Sequence, residues 1–476
     1  METNKDLSLS PDEMRNLGYN VIDILVDHFE GLKNKPAAQR KDRRILEKQL
    51  CESIPLTGKD PREVLDFLVS NVFTSIMNVG HPRFFAFIPS PNNFVSVMAD
   101  TLISGFNVFA GTWLEGSSAA QLESVTIDWL CNECRLPESS GGLFVSGGSM
   151  ANLTALLTAR KVKIKDKIAK AVIYLSDQTH VSVEKGLQIL GFKKQQVNKI
   201  PCDNQFRLDI SILLQAVQKD INNKKIPFCI VANAGTTNTG AIDHLPEIHK
   251  ICRDFGMWFH VDGAFGAAAV LSKRGRDLLK GIEYADSLSI DPHKWLFQPY
   301  EIGCLLVRDK SWLKKTFQIL PEYLADAEVK RDEIDFCDHG IQLTRNFRAL
   351  KLWMSLKVFG KKSFEAAINR GFRLAETAEE KIRQLSDWKI ETPAQLGILN
   401  FRFFPKGIYK SRANELNKAI IESVVENGSI MLSSTMIKGK LVLRMCTINP
   451  RTTEKDIEET IILLDHIAQN INLNYT

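Results

Sequence analysis

The sequence lacks a hydrophobic run of the roughly 20 apolar residues that a membrane-spanning helix needs. It also lacks a recognisable secretory signal, because the N-terminal stretch METNKDLSLSPDE is polar and acidic. We therefore expect a cytoplasmic protein that does not associate with a membrane. Internal repeats and low-complexity segments are absent too, and 44% hydrophobic residues is typical of a globular chain rather than a disordered one.

A strong charge of one sign is missing as well. The chain has 61 Lys and Arg against 56 Asp and Glu, a formal net charge of +5 over 476 residues. The basic clusters RKDRR (40–44) and KVKIKDKIAK (161–170) are each interrupted by Asp and contain no interleaved aromatic residues. A nucleic-acid-binding surface needs a coherent basic face. We interpret both clusters as solvated helix faces and expect no nucleic-acid partner.

The cysteines lack the spacing of a metal site or a disulfide framework. There are nine of them, an odd number at irregular intervals, which favours reduced thiols in the cytosol. Cys131 and Cys134 form one C-x-x-C pair, but the second pair of a zinc site is missing. We expect these two thiols to pack as small apolar groups on one helix face, without a metal.

The length exceeds what one hydrophobic core normally supports, so we predict several domains. Residues 1–85 read as a helical arm, with a capping box at Ser10 and Glu13 and a second helix over 62–78. Its apolar stripe must pack on the main body or on another subunit. Residues 86–360 form the predicted large α/β domain. Residues 361–476 form a smaller α+β domain, in which helices at 364–385, 412–427 and 453–471 alternate with the strand-like runs ILNFRFF (398–404) and KLVLRMC (440–446).

In the large domain, short β-rich runs alternate with helical stretches, which predicts a mostly parallel sheet with helices on both faces. The runs are GLFVS (142–146), AVIYLSD (171–177), FCIVANAG (228–235), MWFHVDGAF (257–265), SLSID (287–291) and GCLLVRD (303–309). Ligands bind such sheets beyond the carboxyl ends of the strands. Polar or small residues at those ends, including Ser146–Ser149, Asp177, His180, Asp262 and Lys294, are therefore predicted to meet there.

Four of these features have ordinary explanations when taken singly. Gly147, Gly148 and Ser149 precede an amphipathic helix and can be a plain helix start, since they match neither a dinucleotide fingerprint nor a Walker loop. Asp262 could cap the next helix, His180 could be structural, and Lys294 in SIDPHKWLF could lie at a surface turn.

Together they are the parts that a pyridoxal phosphate enzyme needs. The glycine turn and helix start can hold a phosphate. The lysine forms an imine with the cofactor aldehyde, and the histidine ring can stack on the pyridine. An aspartate about 4 Å from the pyridine nitrogen is worth roughly 4 kcal/mol at an effective dielectric constant of 20. That corresponds to about three pKa units, enough to keep the ring protonated so that it acts as the electron sink.

On these motifs the sequence resembles the group II pyridoxal-phosphate-dependent decarboxylases, and within them the aromatic-L-amino-acid decarboxylases. The resemblance runs from about residue 10 to about residue 470, and its motifs are HPRFFAFIPS (81–90), QLESVTIDWL (121–130), SGGSMANLTALL (146–157), SDQTHVSVEK (176–185), AGTTNTGAID (234–243), HVDGAF (260–265) and DPHKW (291–295). It implies fold type I and an intertwined homodimer with active sites at the subunit interface.

The resemblance also implies a role for each matching residue. Lys294 is the imine lysine, Asp262 the partner of the pyridine nitrogen and His180 the ring-stacking group. The cofactor-binding set implied in this way is Gly147, Gly148, Ser149, His180, Thr236, Asp262, Ala264, Asp291, His293 and Lys294. Asp291 stands where animal relatives often have Asn, which leaves open its contact with the phosphate. His293 is expected on the phosphate side or at the substrate mouth.

In the implied reaction, the substrate amine displaces Lys294, CO2 leaves, and an acid protonates Cα. Relatives use a tyrosine on a mobile loop after the lysine, and Tyr323 stands at the matching place. Related aldehyde synthases replace this tyrosine or the stacking histidine. This chain keeps both Tyr323 and His180, which favours simple decarboxylation to the amine.

Large apolar side chains are expected to wall the substrate pocket. They are Phe84, Phe85, Phe87, Ile88, Pro89, Phe109 and Trp113, with Thr344 at a position that varies with ring preference. Phe87 and Ile88 replace more polar or aromatic residues of relatives, so we favour tryptophan or phenylalanine over tyrosine or dopa.

Other functions stay open at this stage. An aliphatic substrate such as methionine or valine is one alternative. An acidic or diamino substrate, such as glutamate or diaminobutyrate, is another, and Arg83 would be the candidate clamp for an acid. The two remaining alternative functions are an aminotransferase and a non-catalytic scaffold that binds the cofactor.

Overall fold

A computed structural model describes residues 7–165, 167–319 and 333–475. The α-helices among them are α1 (Pro11–Gly31), α2 (Arg43–Leu50), α3 (Pro61–Phe67), α4 (Phe94–Phe106), α5 (Trp113–Glu133), α6 (Gly148–Lys163), α7 (Val181–Ile189), α8 (Ile210–Asn222), α9 (Leu245–Asp254), α10 (Lys273–Leu278), α11 (Ser311–Phe317), α12 (Ala349–Arg383), α13 (Lys410–Asn427) and α14 (Glu454–Tyr475). The strands are β1 (Gly141–Val145), β2 (Ala171–Ser176), β3 (Val197–Ile200), β4 (Ile226–Asn233), β5 (Trp258–Asp262), β6 (Ser287–Ile290), β7 (Gly303–Val307), β8 (Trp388–Gln395), β9 (Ile398–Phe403), β10 (Ser433–Ile437) and β11 (Lys440–Cys446).

The large sheet has the strand order β1-β7-β6-β5-β4-β2-β3. Strands β3, β2, β4, β5 and β6 run parallel, whereas β7 pairs antiparallel with both β6 and β1. The predicted mostly parallel α/β fold is confirmed. The central strands β2, β5 and β6 are buried along their whole length. Strand β2 is accordingly a nearly continuous apolar run, whereas β5 and β6 also contain polar residues. The sequence analysis missed β3, a half-exposed edge strand with a polar sequence.

A second sheet of four antiparallel strands, in the order β10-β11-β9-β8, forms the smaller C-terminal unit. Strands β9 and β11 were predicted, whereas β8 and β10 were missed because both are half-exposed. Helix α12 leads into this unit and kinks at Gly360, whose φ is +71°. That kink lies one residue before the predicted boundary at 361. The division into 1–85, 86–360 and 361–476 itself stays a prediction.

The N-terminal arm begins as predicted. In the capping box, the Ser10 amide donates to a Glu13 carboxylate oxygen at 2.8 Å, and the Glu13 amide donates to the Ser10 hydroxyl. The predicted helix over 62–78 is shorter than expected, because α3 ends at Phe67 and a π-helical turn follows over 68–72. Helix α1 contains no fully buried residue. Its apolar stripe is only partly covered by the rest of this chain, chiefly where the Phe29 ring packs edge-on against Phe94 at 5.6 Å.

Cys131 and Cys134 are buried in the core of the large domain, as expected of packed thiols. Burial raises the pKa of both thiols, that of Cys131 to about 12. Within the described ranges, no group of His, Cys, Asp and Glu side chains is arranged to hold a metal ion. No helix in those ranges has the length and hydropathy needed to traverse a bilayer.

Candidate active site

A cavity of about 400 Å³ opens at the carboxyl ends of the parallel strands. All ten residues predicted to bind the cofactor line it, namely Gly147, Gly148, Ser149, His180, Thr236, Asp262, Ala264, Asp291, His293 and Lys294. They come from five separate chain segments. Parallel strands bring these segments together because their carboxyl ends meet at one edge of the sheet.

The glycine turn packs tightly at the start of α6. A Cβ atom on Gly148 would lie 2.8 Å from Asp291 Oδ2 and 2.9 Å from Ala264 Cβ, so no larger residue fits without movement. A Cβ atom on Gly303 would lie 2.4 Å from the Cα of Gly147. The first N–H groups of α6 have no acceptor within the helix and carry its positive dipole end. The turn thus offers an anion a close approach to backbone donors.

Lys294 follows β6 in a tight turn, and its ammonium Nζ lies 2.8 Å from Asp291 Oδ2. Burial lowers the pKa of Lys294, but the Asp291 carboxylate more than offsets this and the net pKa is raised. The other oxygen, Asp291 Oδ1, is buried and has no hydrogen-bond partner. His293 lies beside the pair, with Nε2 3.6 Å from Asp291 Oδ2, and burial lowers its pKa. Asp291 is therefore the counter-ion of the site lysine.

Asp262 ends β5 and is buried at the cavity wall. Its carboxylate accepts three hydrogen bonds, from Asn152 Nδ2 at 2.9 Å, from the Ser289 hydroxyl at 3.1 Å and from the Ala264 amide at 3.2 Å. A carboxylate satisfied in this way is held in one orientation. Its acceptor capacity also leaves room for one more donor from a ligand in the cavity.

His180 is the N-cap residue of α7, which explains why it projects from the end of β2 into the cavity mouth. Its ring Nδ1 accepts from the Ser182 amide at 3.3 Å and lies 2.8 Å from the Ser182 hydroxyl. These contacts with Ser182, in the first turn of α7, thus fix one edge of the imidazole ring.

Sequence reasoning missed Asn152 and Ser182, which also line the cavity, and His260, which lies behind its wall. Asn152 falls within the SGGSMANLTALL motif, four residues after Gly148, and this spacing places both on one face of α6. That helical spacing was the signal available in the sequence. His260 is fully buried and would have been read as a core histidine.

The predicted substrate-wall residues do not line this cavity in the single chain. Phe84 and Phe85 are fully buried in separate hydrophobic clusters, Phe85 within the C-terminal core. Ile88 packs against the large core, and Pro89 is buried. Phe87 is instead 57% exposed, with a φ of +53°.

The second predicted wall segment also lies outside the cavity. Phe109 is half-buried against Gly111, and Trp113 begins α5 with its amide donating to Asp335 Oδ1 at 2.6 Å. Thr344 is exposed. Tyr323 lies outside the described residues.

Comparison with known proteins places this site in a family. The model of the pyridoxal-dependent decarboxylase conserved domain matches residues 46–404. The chain belongs to the pyridoxal-dependent decarboxylases. This decarboxylase is similar to the aromatic-L-amino-acid decarboxylase of Bacillus atrophaeus, with 48% identity over 473 residues that cover 99% of this chain and 98% of the relative. Its identity with a phenylacetaldehyde synthase of Arabidopsis thaliana is 29% over 475 residues, covering 96% and 97% of the two chains.

Its fold also matches solved structures. The crystal structure of Oryza sativa TDC with PLP and tryptamine superposes with a TM-score of 0.92 at 26% identity, covering 97% of this chain and 99% of that one. The fold type I architecture is confirmed, and this decarboxylase is a pyridoxal-phosphate-dependent carboxy-lyase.

The cavity fits pyridoxal 5'-phosphate on its own geometry. The glycine turn and the start of α6 provide a cradle for the phosphate, and Lys294 provides an amine for the aldehyde. Asp262 provides an acceptor for the ring nitrogen. The buried, unpartnered Asp291 Oδ1 is a place where a ligand or water donor would bind.

Proposed function

We propose that this decarboxylase converts an aromatic L-amino acid into the corresponding amine and CO2. One observation carries the proposal: Lys294, Asp262, His180 and the Gly147–Ser149 turn, far apart in sequence, line one cavity. The 48% identity to an aromatic-L-amino-acid decarboxylase over almost the whole chain supports the aromatic class of substrate.

Each residue has a role that follows from its position. When bound, pyridoxal phosphate supplies an aldehyde that bonds to amines and a protonated ring that accepts the electron pair left by CO2. Lys294 supplies the amine that holds the cofactor between turnovers. The Asp262 carboxylate holds a proton at the ring nitrogen, and the start of α6 binds the phosphate. His180 and Ala264 enclose the two ring faces, and Thr236 lies beside the ring.

After CO2 leaves, a proton must be delivered to Cα, and we assign this step to Tyr323. The assignment rests on the sequence motif alone. A phenol is a suitable general acid for a carbanion because its proton transfers without leaving a strong base in the site. Tyr323 and His180 are both retained in this chain, which favours the amine over an aldehyde product.

The charge of the cavity argues against an acidic substrate. Of the described residues lining it, Lys294 alone carries a fixed positive charge, and that charge is matched by Asp291. Arg83, the candidate clamp for a side-chain carboxylate, lies instead 3.5 Å from Glu459 and outside the cavity. Glutamate would therefore lack a partner for its second carboxylate, and its burial would be costly.

Within the aromatic class, we propose tryptophan or phenylalanine as the preferred substrate. Phe87 and Ile88 lie outside the cavity of the single chain, and the resemblance alone assigns them to the substrate wall. In that position they offer no hydroxyl or amide to a phenol or catechol. An apolar wall rejects an added hydroxyl only weakly, by up to about 100-fold. We therefore expect tyrosine and dopa to be slow substrates rather than inert ones.

We further propose a homodimer in which each subunit completes the other's pocket. Phe106 is 79% exposed and Leu114 is 84% exposed, and they flank the Phe109–Trp113 segment. Two large apolar side chains exposed to this extent on one segment indicate a surface that another protein molecule covers. A second copy of the chain would bury them and bring Phe109 and Trp113 to the neighbouring cavity.

The substrate proposal is tested by measuring CO2 and amine with a panel of aromatic, aliphatic and acidic amino acids. We expect kcat/KM for tryptophan or phenylalanine to exceed that for dopa by about tenfold or more. Lys294→Ala should form neither product. Keto-acid without CO2 would indicate an aminotransferase, and cofactor-loaded protein inert on the whole panel would indicate a scaffold.

The shared-site proposal is tested with mixed dimers. Lys294→Ala and Trp113→Ala are each expected to be inactive or weak as homodimers. Unfolding and refolding them together should restore up to about a quarter of wild-type activity, because one site in each mixed dimer receives both intact residues. An absence of recovery, in a mixture shown to contain mixed dimers, would mean that Trp113 does not act across the interface.

A further inference from the structure

A chain of buried hydrogen bonds runs from Trp258, behind the cavity wall, to Asn152 and Asp262, which line the cavity. Trp258 Nε1 donates to the Ser287 hydroxyl at 2.8 Å, and that hydroxyl lies 2.8 Å from His260 Nδ1. His260 Nε2 lies 3.0 Å from Asn152 Oδ1. Asn152 Nδ2 then donates to Asp262 Oδ2 at 2.9 Å. All five residues are buried, so water does not compete for these bonds.

The donor and acceptor groups of these five side chains allow only one donor-to-acceptor direction along the hydrogen-bond chain. The Asp262 carboxylate can only accept, so the Asn152 amide must direct its NH2 group toward it and its carbonyl toward His260. His260 must then donate from Nε2, which makes Nδ1 the acceptor from the Ser287 hydroxyl. The indole of Trp258 can only donate, so its hydrogen bond to the Ser287 hydroxyl has the same direction. Every bond therefore points toward Asp262.

A second branch starts from the same amide. Asn152 Nδ2 also lies 3.2 Å from the Ser182 hydroxyl, which is 2.8 Å from His180 Nδ1. The two hydrogens of one amide group thus serve Asp262 and Ser182. Because the Ser182 hydroxyl accepts from Asn152, its own hydrogen is free to donate to His180. Asn152 is therefore connected to both groups that contact the cofactor ring.

We propose that Asn152 is a positioning residue that orients Asp262 and His180 together, and that His260 fixes the direction of its amide. The inference rests on the proposed roles of Asp262 at the ring nitrogen and His180 at the ring face. Neither Asn152 nor His260 touches the reacting atoms. They act by removing the alternative in which the amide turns over and presents its carbonyl to the Asp262 carboxylate.

His260 is held neutral. Burial lowers its pKa to about 4, against the opposing effects of Asp262 and of a hydrogen bond with the Ser287 backbone. The side chains hydrogen-bonded to its ring, Asn152 and Ser287, carry no charge. The donor-to-acceptor direction of these hydrogen bonds is thus the same from about pH 5 upward. The hydrogen-bond chain therefore sets an orientation and does not act as a pH switch.

The test compares His260→Leu, which removes both ring nitrogens, with His260→Gln, which keeps one donor and one acceptor. The readouts are the visible absorbance of the bound cofactor and its pH titration, the dissociation constant for pyridoxal phosphate, and kcat and KM. We expect His260→Leu to shift the pH titration of the absorbance and to lower kcat on the order of 10- to 100-fold, with little change in KM. His260→Gln should recover most of both.

Two further variants distinguish a loss of positioning from a folding defect. Asn152→Leu should reproduce the spectral shift of His260→Leu. Ser287→Ala, at the far end of the chain, should produce a smaller shift in the same direction because it releases the ring to place its proton on Nδ1. Tyr174→Phe is the matched control, since it deletes another buried hydrogen bond of the sheet, 2.8 Å to Asp220, away from the cavity.

The inference and the proposed function fail in different ways. If Asp262→Asn leaves absorbance and kcat unchanged, the assigned role of Asp262 is wrong. In the other outcome, Asp262→Asn alters both the absorbance and kcat, while His260→Leu and Asn152→Leu only lower the melting temperature, as Tyr174→Phe does. In that case the positioning inference is wrong. A His260→Gln variant no better than His260→Leu would likewise overturn the role of the histidine.

Discussion

The ammonium of Lys294 lies 2.8 Å from the carboxylate of Asp291, three residues earlier in the same turn. Only 24% of the lysine side chain is exposed, and a largely buried cation without a partner is destabilising. Asp291 compensates this charge but also keeps the amine protonated, because it raises the pKa of Lys294. The amine bonds to an aldehyde only after it loses its proton. The residue that stabilises the lysine therefore also slows its reaction.

We predict that Asp291→Asn speeds cofactor uptake. Without the carboxylate, burial is the larger influence on Lys294, so the pKa of its ammonium falls and more free amine is present at neutral pH. Each unit of pKa is worth about tenfold in free amine. Stopped-flow absorbance after addition of pyridoxal phosphate should show faster uptake, with the pH profile displaced to lower pH. An unchanged profile would contradict the assigned ion pair.

The same pair makes a pH-dependent contribution to stability. Because the pKa of Lys294 is raised on folding, the contribution is complete below the ordinary lysine pKa and is lost as pH rises through the folded value. At neutral pH, Asp291→Asn should therefore lower the melting temperature of cofactor-free protein. Asp220→Asn is the control, since it breaks a Lys225–Asp220 pair of 2.9 Å remote from the cavity and should leave uptake unchanged.

Gly148→Ala should weaken cofactor binding. The new methyl group would lie 2.8 Å from Asp291 Oδ2 and 2.9 Å from Ala264 Cβ, so the turn must move away from the phosphate cradle. We expect the dissociation constant for pyridoxal phosphate to rise about tenfold or more, a cost of about 1.4 kcal/mol, measured by fluorescence titration. Gly58→Ala, where no atom lies within 4 Å of the new methyl group, should bind like the wild type.

The buried pair of Arg345 and Glu123 should dominate local stability. The side chains are 1% and 0% exposed and 2.5 Å apart, and Arg345 also donates to the carbonyls of Ala110 and Phe144. Removing one partner, as in Arg345→Met, leaves a buried charge and should cost about 3–5 kcal/mol. Denaturant unfolding should show the loss. The double variant Glu123→Leu with Arg345→Met should recover part of it, whereas additive losses would show that the two charges do not interact.

Tyr323→Phe should lower the rate of amine formation about 100- to 10,000-fold, the usual range for loss of a general acid. The visible absorbance and cofactor affinity should stay at wild-type values, because the role assigned to this residue is proton delivery alone. Amine and any aldehyde are measured by chromatography. Tyr409→Phe, at an exposed tyrosine of the small domain, serves as the control. Full amine production by Tyr323→Phe would rule out the proton-donor assignment.

Much of the fold could be read from the sequence because the central strands are buried on both faces. Strands β4, β5 and β6 are largely buried, and their ends were predicted to within two or three residues. Edge strands were missed for the opposite reason. Strand β3 and strand β10 are partly exposed, so their sequences do not differ from those of surface loops.

The sequence by itself predicted the reactive groups, because chemistry constrains residue type: an amine at Lys294, an acid at Asp262 and glycine at Gly148. Their order and spacing were sufficient to indicate the cofactor. Only the tertiary structure decided which groups act through others. Asn152 and His260 lie 108 residues apart and meet at 3.0 Å, and Asp291 is a counter-ion. Such contacts depend on the folding of distant segments onto one sheet, which no local pattern records.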